Sequence, residues 1–96
     1  MTFEVIVRKS ACVYLSGLPE KSRRIVKSAL YSLGENPFPG TGGDKEKLVL
    51  REGVTVYRIH IGNRYTAFYA IDIEHGIVRV HEILTIEQAY KRYGRL

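Results

Sequence analysis

The chain has 96 residues and a formal net charge of +5, from 15 Lys and Arg against 10 Asp and Glu. This length predicts one domain, residues 1–96, with a single modest core. No apolar run approaches the ~20 residues that cross a bilayer, and no signal-peptide pattern opens the chain. One cysteine, Cys12, forms no internal disulfide and fits a reducing compartment. We therefore expect a cytoplasmic protein without membrane contact, whose basic charge favours an acidic partner.

The N-terminal part of the chain is typical of one strand followed by two helices. Phe3 to Arg8 is rich in β-forming residues and predicts a strand. Ser10 stands as an N-cap before apolar residues at helical spacing, and Pro19 is placed to begin the second helix. Gly34 is the expected C-cap of that second helix. Its apolar face consists of Ile25, Val26, Ala29, Leu30 and Leu33.

The rest of the chain predicts a loop, an antiparallel meander and a short helix. ENPFPGTGGDKEK is a loop by composition, and strand-like runs follow at 48–50, 54–61, 64–73 and 76–84. In the tail TIEQAYKRYGRL, Thr85 and Gln88 have capping-box spacing ahead of an apolar stripe. The order predicts an α+β fold of two layers: an N-terminal strand, a helical hairpin, an antiparallel β-meander and a short C-terminal helix. The expected core is formed by Val5, Val7, Leu15, Ile25, Leu30, Tyr57, Ile59, Tyr69, Ile71, Val78 and Val80.

Basic residues alternate with apolar residues in the stretch VYRIHIGNRYTAFYAID. Because side chains alternate along a strand, Arg58 and His60 should stand on the open face of the sheet while Ile59 faces the helices. Both basic residues are expected to be exposed. In the returning strand, Phe68 is expected on the same open face, where a base can stack on it for ~1–3 kcal/mol.

The connection between these two strands sets the position of Arg64. Pairing the apolar sets requires Ile61 opposite Tyr65, with residues 62–64 as a three-residue connection. Arg64 then projects over the open face unless the turn swings it away.

Arginine and histidine suit the cleavage of RNA without a metal. The 2′-OH must lose a proton, the phosphorane charge must be stabilised, and the leaving 5′-oxygen must gain a proton. Arginine is permanently charged and bidentate toward phosphate, and histidine titrates near working pH. An exposed strand histidine without a role explains His60 equally well, and His81 on the next strand is explained by a structural role or by proton transfer. No pair of His or Cys has ligand spacing, so we expect no metal and no cofactor.

The ordered set of segments resembles the RelE/ParE toxin superfamily of type II toxin–antitoxin systems. KSACVYLSGLPEKSRRIVKSALYSLGENP is similar to its helical hairpin, with a Leu-Pro hinge and an Asn-Pro exit. VYRIHIGNRYTAFYAID and IVRVHEIL, followed by Tyr90, are similar to its meander and terminal tyrosine, in the same order. The resemblance covers nearly the whole chain.

The resemblance implies a toxin with an acidic antitoxin protein as its partner. RelE-like members cut mRNA in the ribosomal A site, which makes ribosome and mRNA the expected targets, whereas ParE-like members poison DNA gyrase. By this resemblance Arg58 and His60 occupy positions of basic catalytic residues. The candidate catalytic set is Arg58, His60, Arg64, His81 and Tyr90. The candidate RNA- or phosphate-binding set is Lys45, Lys47, Arg51, Arg79 and Phe68.

One segment departs from the pattern of the nucleases. RelE-like nucleases carry a basic cluster shortly before their terminal tyrosine, but no Lys, Arg or His lies between Leu84 and Tyr90. Two hypotheses therefore stand: a ribosome-dependent endoribonuclease of RelE type, or a ParE-like gyrase-binding toxin or degraded relative that only binds its antitoxin.

Overall fold

A five-stranded sheet with three helices forms the part of the chain that the computed structural model describes, residues 2–40, 43–50 and 52–93. The strand order is β1-β5-β4-β3-β2. The strands from β2 to β5 pair antiparallel in succession, and β1 pairs in parallel with β5. This architecture confirms the expected α+β fold. None of the helices in these residues is both long and apolar enough to span a bilayer. In chain order the elements are β1 (Glu4–Val7), α1 (Lys9–Ser16), α2 (Glu20–Glu35), β2 (Lys45–Val49), β3 (Thr55–Ile61), β4 (Tyr65–Asp72), β5 (Ile77–Thr85) and α3 (Ile86–Tyr93).

One face of the sheet, here called the helical face, packs against α1 and α2 and holds the main core. Most of the expected core is confirmed, with Val5, Val7, Tyr57 and Ile71 partly buried against it. Ile25 was placed wrongly: it is 44% exposed, whereas Val26 is fully buried. The buried members are Phe3, Ala11, Leu15, Val26, Leu30, Leu33, Ile59, Ile61, Tyr65, Ala67, Tyr69, Val78, Val80 and Ile83.

The helix ends differ from the expected caps. α1 begins at Lys9, so Ser10 lies inside its first turn, and Arg8 precedes the helix without a side-chain cap. Gly34 is not the C-cap of α2, because the helix continues to Glu35. The Gly34 carbonyl accepts the N–H of Phe3 at 2.6 Å. A Cβ on Gly34 would stand 3.0 Å from the Phe3 carbonyl oxygen, so the glycine permits a close approach of α2 to the chain before β1.

The opposite face of the sheet, here called the second face, is partly covered by α3. Ala89 of α3 packs with Phe68 and Leu84 in a small second core. The expected capping box is confirmed: the Thr85 N–H donates to Gln88 Oε1 at 2.9 Å, and the Gln88 N–H donates to Thr85 Oγ1 at 3.0 Å. The box fixes the helix start directly after β5, which brings α3 back over the sheet.

Candidate functional site

The β3–β4 hairpin has the register that the sequence predicts. Ile61 pairs with Tyr65, and residues 62–64 form the connection. Gly62 and Asn63 have positive φ values of 60° and 57°, which suits glycine and, less strictly, asparagine. With this register the apolar side chains of β3 enter the main core, and Arg58 and His60 project from the second face.

Arg58 lies on the expected face, but it is buried, which corrects the prediction of an exposed side chain. Only 7% of the residue is accessible. Its Nη2 donates to Oε2 of Glu46 at 2.6 Å, and Glu46 is its cross-strand neighbour on β2. Its Nε is buried without a hydrogen-bond partner among the residues that the structure describes. A buried guanidinium requires a counter-ion, and Glu46 supplies it.

His60 is half-buried at the rim of an open concavity of about 440 Å³. Its backbone N–H donates to the Asp44 carbonyl at 2.9 Å, which holds β3 against the end of the preceding loop. Its Nδ1 is buried and has no hydrogen-bond partner within the described residues. A buried Nδ1 has no solvent access, so a bound group would meet the exposed part of the ring instead. The concavity is lined by Gly43, Asp44, His60, Gly62, Asn63 and Ile86.

The loop that leads to Asp44 is anchored by Tyr69. The Tyr69 hydroxyl donates to the Pro37 carbonyl at 2.7 Å from a fully buried position. Burial raises the pKa of Tyr69 above its usual range, with smaller contributions from Asp44 and Tyr57. The hydroxyl therefore stays protonated and serves as a fixed donor, not as a catalytic acid.

Arg64 is exposed at the end of the hairpin connection. Its N–H donates to the Ile61 carbonyl at 3.2 Å, and its carbonyl accepts the N–H of Ile86 at 2.8 Å. The backbone of Arg64 thus ties the turn to the start of α3, while its side chain is open to solvent. It remains a candidate for binding a phosphate beside His60.

Phe68 is on the second face but is only 5% exposed, contrary to the expectation of an open stacking platform. It pairs with Arg58 across β3 and β4 and packs against Leu84 and Ala89. The cause is α3, whose apolar side covers this end of the second face. Phe68 therefore stabilises the second core and offers little ring surface to a ligand.

His81 lies at a β-bulge in β5. Phe68 pairs with Glu82 but Tyr69 pairs with Val80, so His81 is the inserted residue. The insertion reverses the alternation, which is why Ile83 is buried in the main core instead of sharing a face with Arg79 and His81. Burial lowers the pKa of His81, and the nearby Arg8 and Arg79 lower it further. His81 is therefore mainly neutral at pH 7.

The basic binding candidates do not share one face. Lys45 and Lys47 pair with Ile59 and Tyr57, so both belong to the helical face. The Lys45 Nζ donates to the Asn36 carbonyl at 2.8 Å, where a cation is favourable at the C-terminus of α2. The register of β2 is not readable from its sequence, so the placement of these two lysines on the face opposite Arg58 was not predictable.

Two further candidates have different outcomes. Arg79 is on the second face, where its Nη1 donates to Asp72 Oδ2 at 3.1 Å and its side chain remains 48% exposed. Arg51 lies outside the described residues. Of the candidate binding residues that the structure describes, Arg79 is both accessible and on the same face as Arg58.

Tyr90 stands on α3 and is 54% exposed, so it is not packed as its place in the apolar stripe suggested. Ala89 makes the buried contact instead. Residues 85–89 contain the capping box of Thr85 and Gln88. They occupy the place before Tyr90 where the resemblance to the nucleases predicts a basic cluster.

Sequence reasoning missed two charged residues of the second face. Glu46 is the counter-ion of Arg58, and Glu82 forms an ion pair with Arg92 of α3. The pairing of Glu46 has a sequence signal, since Glu46 and Leu48 alternate with two lysines on β2. That signal is readable only once the register of β2 against β3 is known.

The fold itself has close counterparts among solved structures. No protein-family model matches the chain, and no curated protein matches it either. The chain is similar to an archaeal RelE–RelB complex from Pyrococcus horikoshii OT3, with a TM-score of 0.73 and 22% identity over 88% of this chain and 96% of that one. The RelBE2 toxin–antitoxin complex from Mycobacterium tuberculosis gives a TM-score of 0.70 and 23% identity, over 88% and 99% of the two chains.

A third similar structure is a doubly substituted E. coli RelE toxin in the free state. It gives a TM-score of 0.63 and 20% identity, over 97% of this chain and 95% of that one. The likeness thus extends to RelE both alone and in toxin–antitoxin complexes. The chain has the fold of RelE toxins.

Proposed function

We propose that this protein is the toxin of a type II toxin–antitoxin system and a RelE-like, ribosome-dependent mRNA endoribonuclease that inhibits translation. The observation that carries the proposal is the fold of RelE toxins combined with Arg58 and His60 on one face of the sheet. An RNase of this kind needs no cofactor, because arginine and histidine supply the charge and the proton transfers.

In the proposed reaction Arg58 stabilises the phosphorane. Its side chain is 8% exposed and paired with Glu46, whose side chain is 47% exposed. An incoming phosphate therefore competes with Glu46 for the guanidinium, and the half-exposed carboxylate has room to turn into solvent. The low-dielectric surroundings of Arg58 strengthen its interaction with a phosphate that replaces Glu46.

His60 is the proposed proton-transfer residue. The half-buried ring lies beside an open concavity, from which a 2′-OH or a leaving 5′-oxygen can approach its exposed side. Arg64 is the second phosphate ligand at the same end of the hairpin. His81 and Tyr90 remain the alternative proton-transfer residues.

The proposed partner is an acidic, partly disordered antitoxin encoded by the neighbouring gene. Both proteins are proposed to act in the cytoplasm. A domain of charge +5 attracts such an acidic segment electrostatically. The segment becomes ordered when it binds, which costs conformational entropy. We expect a tight complex whose association rate falls as salt rises, measured by stopped-flow or surface-based kinetics. A neighbouring gene product that neither co-purifies with this protein nor relieves growth arrest contradicts the toxin assignment.

The test of the nuclease is induced expression followed by primer extension on cellular mRNA. The expected result is growth arrest with new 5′ ends inside translated codons, and their loss when ribosomes are kept off the message. Growth arrest without cleavage products contradicts the nuclease.

A second candidate function is a binding toxin, acting on DNA gyrase, or a relative that only binds its antitoxin. Two observations favour it: residues 85–89 carry no basic cluster, and Arg58 is held in an internal ion pair. Growth arrest with inhibited supercoiling and intact mRNA selects the gyrase toxin. No arrest, together with antitoxin binding, selects the degraded relative.

A further inference from the structure

The sheet has two edge strands, β1 and β2, and the outer side of β1 has free backbone groups. At the start of β1 the Glu4 N–H donates to the Gly76 carbonyl at 2.8 Å, on the side of β5. Because backbone groups alternate in direction along a strand, those of Val5 and Val7 point away from β5. In residues 2–40, 43–50 and 52–93 no strand pairs with this outer side.

The other edge of the sheet is protected by charge. Past the end of β2 the Leu50 N–H donates to the Val54 carbonyl at 2.8 Å, so the same alternation makes Lys45, Lys47 and Val49 the outer positions of β2. Lysine on an edge strand opposes the addition of another strand. The outer positions of β1 carry valine instead, so β1 is the edge that is open to a further strand.

An apolar groove of about 240 Å³ opens beside β1, between α1 and α2. Strand β1 contributes Val5 and Val7 to its walls, α1 contributes Cys12, and α2 contributes Lys27 and Tyr31. The Tyr31 side chain is prominent at the surface, because the residue is 77% exposed. The free edge of β1 and the groove are therefore adjacent, and the two valines belong to both.

We infer that an extended acidic segment of a protein partner adds to the outer edge of β1 as a further strand and places an apolar side chain in the groove. The inference rests on the proposed function, which supplies an acidic partner, and it adds the place and the mode of binding. Strand addition takes affinity from main-chain hydrogen bonds and specificity from pockets for alternate side chains. Val5 and Val7 meet both requirements, since their backbone groups are free and their half-buried side chains line the groove.

Charge and chemistry select this occupant over two others. Lys27 lies in the groove, and Lys21 and Arg24 are exposed on the same helix, so an acidic segment is attracted to this side of the molecule. A second copy of the chain would bring another charge of +5, which opposes self-association. An RNA strand has no peptide groups to pair with the edge of β1.

The first test measures protection in the purified complex of the full chain with the product of the neighbouring gene. Cys12 is the single cysteine of the chain, it is free and exposed, and it lines the groove, so its alkylation by iodoacetamide reports access to the groove. We expect alkylation to slow at least about tenfold in the complex, because reaction requires an accessible thiol. Exchange of the Val5 and Val7 amide hydrogens, followed by NMR, should slow at least about tenfold as they become hydrogen-bonded. The Val49 amide on the outer edge of β2 is the internal control and should be unaffected.

The second test compares two charge reversals on α2. Lys27→Glu places an acid in the groove, whereas Lys21→Glu makes the same change of net charge at an exposed position outside it. Lys27→Glu should weaken the complex about tenfold or more through like-charge repulsion, and Lys21→Glu should stay within about threefold. Binding is measured by titration calorimetry, and unchanged thermal melting of each variant shows that it is folded.

The inference is overturned if the complex forms while Cys12 is alkylated at the rate of the free protein and the Val5 and Val7 amides exchange as before. Equal weakening by the two charge reversals also overturns it, because net charge then explains the effect. So does protection of Cys12 in the chain alone with the mass of a dimer, or protection by an RNA hexanucleotide, since the groove then has another occupant.

The proposed function fails in a different way from this site. Absence of any complex contradicts the antitoxin partner and removes this site with it. A complex that protects Cys12 from a protein that cleaves no mRNA supports this site and removes only the nuclease.

Discussion

The two faces of the sheet bury their residues by different means. The centre of the helical face is apolar apart from the Tyr69 hydroxyl, which donates to the Pro37 carbonyl. The second face buries Arg58 and Thr66 beside Phe68 and Leu84, and it depends on Glu46 to neutralise the guanidinium. Desolvating a guanidinium costs free energy that its ion pair offsets only in part, so the second face gives up stability that the helical face keeps. A charge kept in such a setting is the arrangement expected of a site that acts on another charge.

The largest expected effect is on the activity of the second face. Arg58→Ala removes the charge aimed at the phosphorane and should reduce mRNA cleavage about 10²–10³-fold. His60→Ala should reduce it on the order of 10²–10⁴-fold, and His60→Gln should behave alike, because glutamine carries no transferable proton. The measurement is cleavage of mRNA on purified ribosomes, with Glu74→Ala, exposed in the β4–β5 turn, as the control.

Stability separates a chemical loss from an unfolded protein in these variants. His60→Gln should melt close to the unmodified protein. Arg58→Ala removes a side chain that is only 8% exposed, so its melting temperature should fall, and its cleavage is compared at a temperature where it is folded. Cleavage that survives both substitutions moves the chemistry toward Arg64, His81 and Tyr90.

The helical face should show the largest effect on folding. Leu30 is 4% and Ile59 3% exposed, and replacing either by Ala should cost roughly 2–5 kcal/mol through lost burial and a cavity. Val49→Ala, at a position 68% exposed, is the control and should change stability by less than about 0.5 kcal/mol. Urea denaturation measures all three. A loss well under 1 kcal/mol at both core sites would show that the helical face is not the main core.

The same contrast explains what could be predicted from the sequence. On the helical face the period of two in β3 and β4 identified Ile59 and Tyr69 as core, because strand alternation and burial agree there. The burial of Phe68 was not predictable, since it depends on α3 folding back over the sheet, and the pairing of Arg58 with Glu46 depends on the register of β2. The bulge at His81 was not predictable either, because one inserted residue does not change the sequence pattern of a strand that mixes apolar and basic residues.

Replacing Glu46, the more exposed partner of the Arg58–Glu46 ion pair, is expected to have an intermediate effect on stability. Glu46→Gln should lower the free energy of unfolding by about 1 kcal/mol, less than a fully buried pair would, because Glu46 is half-exposed. It also removes the competitor of the phosphate, so cleavage should not fall and binding of RNA should strengthen. Glu74→Gln is the matched control. Reduced cleavage in a folded Glu46→Gln protein would mean that Glu46 orients Arg58 instead of competing for it.

The smallest expected effect is a dependence of stability on pH that comes from His81. Its pKa is lowered in the folded protein, first by burial and then by Arg8 and Arg79, so the unfolded chain binds the proton more readily. The contribution of His81 to stability is therefore complete above the unfolded value of 6.5 and is lost as pH falls from there through the lowered folded value. Asp72, which pairs with Arg79, has a lowered pKa, so it stays ionised over this range and does not alter this sign. Urea denaturation from pH 8 to about 5 should show a smaller loss of stability for His81→Gln than for the unmodified protein, while His75→Gln retains the loss. Equal losses in both variants would mean that the second face does not hold His81 in its neutral form.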